Sequence, residues 1–251
     1  MITKNEIKYL RSLHQRKNRQ THQQFLAEGI KVVEDLLQAE YPILTLYSTS
    51  QWSLPHKASQ QQIPHHIVTA RELEQISTLK NPNQVVALCK SSTATKINPS
   101  YFDDVIIFLD SIRDPGNLGT IIRTADWFGI KNIVCTTDTV EIYNPKVVQS
   151  TMGSIARVHV TYIDSIDFFR QVPSTIPVYG LFLIANKNIE IITNKPSIII
   201  IGSESHGISN EIESYITEKV FIPPYLADNN HAESLNAAVA GALAMYQVRN
   251  N

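Results

Sequence analysis

Between residues 105 and 222 the chain repeats one pattern, a short apolar run followed by a stretch with helical spacing. The runs fall at 105–110, 132–136, 158–162, 178–183, 198–202 and 220–222. They are continuous rather than alternating, as expected of strands buried on both faces. Such strands need cover on both sides, and the intervening helical stretches supply it. Parallel strands also require a crossover between them, so the repeat predicts an α/β fold built on a mostly parallel sheet.

At 251 residues there is room for a second, smaller unit. Residues 1–90 supply it as a small α/β domain. Thr3 with Glu6 reads as a capping box ahead of a helix carrying Ile7, Leu10 and Leu13. Residues 25–29 lead into a second helix that buries Ile30, Val33 and Leu37. Residues 43–47, 67–68 and 85–89 read as strands. Thr69 with Glu72 forms another capping box before Leu73, Ile76 and Leu79. Residues 91–100, SSTATKINPS, are small and polar and end in Asn-Pro, which makes them the linker to a domain over 101–251.

Twenty-two basic against twenty-three acidic side chains leave a net charge of −1, so the chain as a whole does not attract a polyanion. Within residues 1–22, however, Lys4, Lys8, Arg11, Arg16, Lys17 and Arg19 oppose only Glu6. A face of that kind holds phosphates or is simply solvated. Cys89 and Cys135 lie in apolar runs and read as buried thiols, so neither a disulfide nor a metal site is expected. No signal peptide and no membrane-length apolar run is present, which predicts a cytoplasmic protein with no membrane association.

Ligands of open α/β sheets bind beyond the carboxyl ends of strands, and three loops stand there. The first, 114–119, opens a helix on which Leu118, Ile121, Ile122, Ala125 and Phe128 share one face. Thr120, Arg123 and Trp127 share the other. Asn117 reads as the N-cap. A guanidinium beside a large aromatic points to a ligand, a partner chain or nucleic acid, or else to a solvated face. The second loop is 202–207. The third, from Pro223 to Asn236, enters a helix over 233–247 whose many Ala and Gly residues permit close backbone approach, in a core or at a subunit interface. Neither GxGxxG nor a phosphate loop ending in Gly-Lys-Ser/Thr occurs. Ser203-Glu204-Ser205-His206-Gly207 approximates a nucleophile elbow, with Asp228 and His231 following in hydrolase order. Ser203 occupies the position where that strained turn wants glycine, so a serine hydrolase using Ser205 is the lesser alternative.

Taken in order, DPGNLGTIIRTADWFG, IIIIGSESHGIS and FIPP…SLNAAVAGALAMYQ resemble the three motifs of SpoU-type (TrmH-like) RNA 2′-O-ribose methyltransferases of the SPOUT class. NPKVVQSTMGSIARVHV resembles that family's linking segment, and the resemblance spans 103–248. It implies a SPOUT-type parallel sheet with a C-terminal trefoil knot, preceded by a small α/β RNA-binding domain, in a homodimer. It implies S-adenosylmethionine as cofactor, held at Gly202, Ile222 and Leu235 with Ser203, Glu204, Ser234 and Asn236 beside it. The implied catalytic positions are Arg123, Asn117, Glu204, Ser234 and Asn236. A guanidinium does not release its proton near neutrality, which favours Arg123 as a phosphate clamp and stabiliser of the developing alkoxide over a role as base. Asn117 then orients the ribose oxygen or holds Glu204.

Lys4, Lys8, Arg11, Arg16, Lys17, Arg19 and Arg113 form the expected RNA-binding set. A 2′-hydroxyl target restricts the substrate to RNA. The fused N-terminal domain favours ribosomal over transfer RNA, and a non-catalytic RNA-binding module is the alternative of another class. The third motif is stretched by PPYLADNNHAE, so no cofactor contact is carried onto 223–233.

Overall fold

Residues 25–29 lead into the expected second helix, and residues 25–28 themselves form a strand that the pattern did not show. A computed structural model describes residues 2–56, 62–92, 96–193, 196–225 and 232–250. Its first ninety residues contain α1 (Lys4–Ser12), α2 (Arg16–His22), β1 (Gln24–Glu28), α3 (Ile30–Gln38), β2 (Ile43–Ser48), β3 (His65–Ile67), α4 (Ala70–Ile76) and β4 (Val85–Lys90). Then come β5 (Val105–Leu109), α5 (Pro115–Trp127), β6 (Asn132–Cys135), α6 (Pro145–Thr151), β7 (His159–Tyr162), α7 (Ser165–Phe169) and β8 (Val178–Phe182). The chain ends with β9 (Lys187–Asn188), β10 (Ser197–Ile201), α8 (Asn210–Glu213), β11 (Glu218–Phe221) and α9 (Ala237–Asn250).

The chain divides into two compact units, Met1–Ser92 with Glu141–Arg157, and Thr93–Val140 with Val158–Asn251. In the first, four strands lie in the order β1-β4-β2-β3, with β4 antiparallel to β1 and β2, and β3 parallel to β2. Leu10, Leu13, Leu73 and Ile76 from α1 and α4 cover Leu26, Val86 and Leu88 on one face. The capping box at Thr69 is reciprocal: Glu72 N donates to Thr69 Oγ1 at 3.2 Å and Thr69 N to Glu72 Oε2 at 2.8 Å. At Thr3 only half of the box forms, because Glu6 instead accepts the Tyr47 hydroxyl at 2.7 Å.

Segment 141–157, expected in the second domain, belongs to the first unit. The Tyr143 ring lies 4.5 Å from that of Phe25, and its hydroxyl donates to Ser92 O at 2.7 Å. Both α3 and α6 pack on β1, which explains its lack of alternation.

The second unit holds a seven-stranded sheet in the order β7-β6-β5-β10-β8-β11-β9, every pair parallel. Ile106, Phe108, Ile198 and Ile200 point to a core with Phe168, Phe169 and Ile212. On the opposite face α5 and α9 pack together over the sheet. A Cβ on Gly241 of α9 would stand 2.7 Å from Ile201 Cδ1, so the small residues of this helix serve its close seating on β10. Cys89 and Cys135 are buried, and burial pushes both thiols up. Among the described residues no helix is long and apolar enough to cross a membrane.

Candidate active site

The carboxyl edge of the seven-stranded sheet is where the three loops meet. Asp114, not Asn117, caps α5: its Oδ1 accepts from Asn117 N at 2.8 Å, and Pro115 fills the first turn. This correction matters because it leaves the Asn117 side chain uncommitted to the helix. Its Nδ2 donates to Glu204 Oε1 at 3.1 Å, and its Oδ1 accepts from Asn236 Nδ2 at 2.9 Å. Asn236 Nδ2 also donates to Glu204 Oε1 at 2.6 Å, and Ala237 N reaches the same oxygen at 3.2 Å. One carboxylate oxygen therefore gathers three N–H donors and ties the first loop to the second and third. Glu204 Oε2 has no hydrogen-bond partner among the described residues. Asn236 also caps the start of α9, its Oδ1 accepting from Ala238 N at 2.9 Å, so the helix begins later than its composition predicts.

The second loop is held by its backbone. Ser203 N donates to Gly207 O at 3.1 Å and Gly207 N to Ser203 O at 2.8 Å. A Cβ on Gly202 would lie 2.3 Å from the carbonyl carbon of Gly207, a distance no side chain tolerates. Buried Asp110, at the end of β5, fixes the loop from below: its Oδ2 accepts from Ser209 N at 2.7 Å and its Oδ1 from the Ser111 hydroxyl at 3.0 Å. Ser205 Oγ sits 2.7 Å from His206 Nδ1, both exposed; Asp228 and His231 lie outside the described residues.

Of the other expected positions, Ser203 and Ile222 are half-buried beyond β10 and β11, and Ser234 and Leu235 are exposed just before α9. Arg123 is exposed on α5 and has no ion pair among the described residues, while Trp127 on the same face is 85% exposed. Arg113 is exposed, 3.5 Å from Asp138. Lys4, Lys8, Arg11, Arg16 and Lys17 are exposed. Arg19 is not, and the expectation that it meets RNA is corrected. Its Nη1 donates to Leu13 O and His14 O, both at 2.8 Å, and its Nε and Nη2 to the Glu141 carboxylate at 3.2 and 2.7 Å. A guanidinium so enclosed braces the fold.

Sequence reasoning missed Leu183 and Ile184. They follow β8, which lies between β10 and β11, so they stand in the middle of the edge that carries Gly202 and Ile222. Both are exposed apolar residues. Only the strand order reveals this, since neither belongs to a motif. Among the described residues no cluster of His, Cys, Asp and Glu is arranged to hold a metal.

Known proteins resemble this chain along most of its length. Residues 104–246 match the SpoU rRNA Methylase family, and residues 4–87 match the MRM3-like substrate binding domain. An uncharacterized tRNA/rRNA methyltransferase of Synechocystis is 31% identical over 97% of this chain and 90% of its own. The 23S rRNA (guanosine(2553)-2′-O)-methyltransferase RlmP of Bacillus subtilis is 27% identical over 97% of this chain and 96% of its own. An AdoMet-bound rRNA methyltransferase structure from Sinorhizobium meliloti superposes with a TM-score of 0.86 at 28% identity, covering 100% of this chain and 96% of that one. The match to the family takes in the whole edge built by Asn117, Gly202, Glu204 and Asn236, and the chain belongs to the SpoU rRNA methylase family.

Proposed function

We infer that this chain is an S-adenosylmethionine-dependent RNA 2′-O-ribose methyltransferase acting in the cytoplasm on ribosomal RNA. The observation that carries the reading is the Asn117–Glu204–Asn236 cluster, which couples all three family motifs at one strand edge. Relatives along nearly the whole chain act on 23S rRNA, which favours ribosomal over transfer RNA.

The residues at that edge fit the cofactor. Leu183, Ile184 and Leu235 are exposed apolar side chains of the kind an adenine ring covers, and the tight Gly202 loop offers backbone groups without an intervening side chain. Gly202, Ile222 and Leu235 would hold it, with Ser203, Glu204, Ser234 and Asn236 beside them. When bound, the group supplies an electrophilic methyl on a sulfonium centre.

This chain's own residues then orient and stabilise. Asn117 and Asn236 fix the Glu204 carboxylate, whose open Oε2 accepts from a ribose hydroxyl and holds its oxygen in line. Ser234 adds a hydroxyl beside it. Arg123 clamps a phosphate and stabilises the alkoxide that develops as the proton leaves to water or an adjacent phosphate. The order β5-β10-β8-β11, in which β8 is flanked by two later strands, supports a trefoil knot in this region. Trp127, Val239, Leu243 and Tyr246 expose apolar surface on α5 and α9, which a second copy of the chain covers in a homodimer. The surface cations Lys4, Lys8, Arg11, Arg16, Lys17 and Arg113 hold RNA phosphates.

The test is transfer of labelled methyl groups to ribosomal RNA from cells lacking the gene, followed by mapping of ribose methylation. Incorporation at a 2′-oxygen is expected, and Arg123→Ala abolishes it while Ser205→Ala leaves it intact. Label on a base, or the reverse ranking of the two variants, rejects the reading. Cofactor binding with no transfer to any RNA would mark a binding module instead.

A further inference from the structure

The first unit carries a groove lined by three of the cations assigned above to RNA phosphates. Lys4, Lys8 and Arg11 follow one another at four- and three-residue spacing along α1, so they form a row on one helix face, about 10 Å long at a rise of about 1.5 Å per residue. Together with Gln75 of α4 they line a cavity of about 360 Å³. Gln75 also lines a second cavity, of about 680 Å³, whose walls include Thr49, Gln51, Ile67 and Arg71. The two cavities therefore share a wall residue and lie on either side of Gln75.

Their chemistry is specific. The larger cavity lies within the range of about 300–1,000 Å³ typical of small-molecule sites. Ile67 is 53% exposed, and it lines this cavity together with an exposed guanidinium, Arg71. The hydroxyl of Thr49 is buried without a hydrogen-bond partner among the described residues, a polar group left for something else to satisfy. Among the described residues of the lining the only carboxylate, Glu72, is bound to Thr69 through its capping box. Four cations thus meet no free anion in the groove.

We propose that this groove seats a single-stranded segment of RNA, with phosphates on Lys4, Lys8 and Arg11 and one unpaired base in the cavity between Ile67 and Arg71. A row of cations leading to an apolar floor, a stacking guanidinium and amide side chains is what unstacked nucleotides require. A duplex would present its phosphates to the row but no base to the cavity. The proposal rests on the reading of this chain as an RNA-modifying enzyme and names the part of the first unit that selects unpaired substrate.

The experiment uses the full chain and a fluorescent twelve-nucleotide single-stranded RNA carrying one 4-thiouridine. The triple variant Lys4→Glu/Lys8→Glu/Arg11→Glu is expected to bind at least tenfold more weakly. Loss of three phosphate contacts should flatten the slope of log Kd against log salt by about 2. Ultraviolet cross-links in the wild-type protein are expected within residues 49–51 and 67–75, and Arg71→Ala should remove them. An unchanged salt slope in the triple variant, cross-links confined to residues 101–251, or equal affinity for a duplex of the same sequence overturns the proposal. If the wild-type enzyme transfers no methyl group but the cross-links and salt effects appear, the catalytic reading fails and the groove stands.

Discussion

The two units of this protein bury their strands by different means. In the second, seven parallel strands are covered by helices from the neighbouring stretches of chain, and the core residues are aliphatic and aromatic. In the first, β1 is finished by a segment that begins at residue 141, and charged groups are taken inside with it. Arg19 pairs with Glu141 at side-chain exposures of 4% and 12%. The buried Glu28 carboxylate accepts from Ser77 and Thr78, including Thr78 N at 3.0 Å. The second unit has ion pairs too, but they sit at the surface; the least exposed arginine among them, Arg249, pairs with Asp104 at exposures of 20% and 44%. The lesson is that a unit completed from a distant part of the chain depends on a few specific links, whereas a locally wound one depends on the sum of its packing.

The largest effect should come from cutting the first unit away. A chain comprising only residues 91–251 would leave Tyr143, Val147, Val148 and Ile155, all buried in the intact protein, without cover. Each such side chain carries about 1.5–3 kcal/mol of burial. The shortened chain is expected to aggregate or to unfold without a cooperative urea transition. A soluble fragment with a single sharp transition would show that segment 141–157 needs no cover, and the contrast drawn above would be lost.

Next comes Arg19→Ala, which strands the buried face of Glu141 and two carbonyls. It should lower stability by about 3 kcal/mol, read from the urea midpoint, while exposed Lys17→Ala changes it by less than about 0.5 kcal/mol. Equal losses in the two variants would remove the distinction between a brace and a surface cation.

At the catalytic edge the expected change is in rate. Asn236→Ala should slow methyl transfer by about 10- to 100-fold, equivalent to about 1.4–2.7 kcal/mol, and lower stability only by the roughly 1 kcal/mol of the lost α9 cap. Unaltered kinetics with a much lower Tm would make the cluster a structural tie alone.

The smallest effect belongs to Asp104. Burial pushes its carboxyl up, but hydrogen bonds from Arg249 and from Val105 N outweigh this and hold it below the usual carboxylate range. A carboxyl lowered in the folded state stabilises fully above its unfolded value, near about 4, and loses that contribution as pH falls through the folded value. The stability gap between wild type and Asp104→Asn should therefore be at most about 1 kcal/mol at neutral pH, because the pair is partly exposed, and close in acid. A gap that widened on acidification would contradict the assignment.

Several of these features were readable from the residues alone. Continuous apolar runs marked six of the seven strands of the larger sheet, because a parallel strand covered on both faces has no polar side to interrupt it. The two-residue β9 gives no such signal. Asn144 caps α6 and Pro145 fills its first turn, signals that act locally. β1 was hidden because its cover comes from both α3 and α6, and α2 because RKNRQTH has no apolar stripe. At the site, the motifs brought Asn117, Glu204 and Asn236 forward, but the spacing assigned Asn117 to capping. Asp114 takes that task, which frees the amide for Glu204.

The sequence by itself determined the local rules: which stretches are strands, where helices begin, and which three loops carry unusual polar groups. Those depend on neighbours a few positions apart. Only the tertiary structure decided that Arg19 is internal, that segment 141–157 completes the first unit, and that Leu183 and Ile184 share an edge with Gly202. Strand order and enclosure are set by contacts between residues far apart in the chain, and no local pattern encodes which distant partner will arrive.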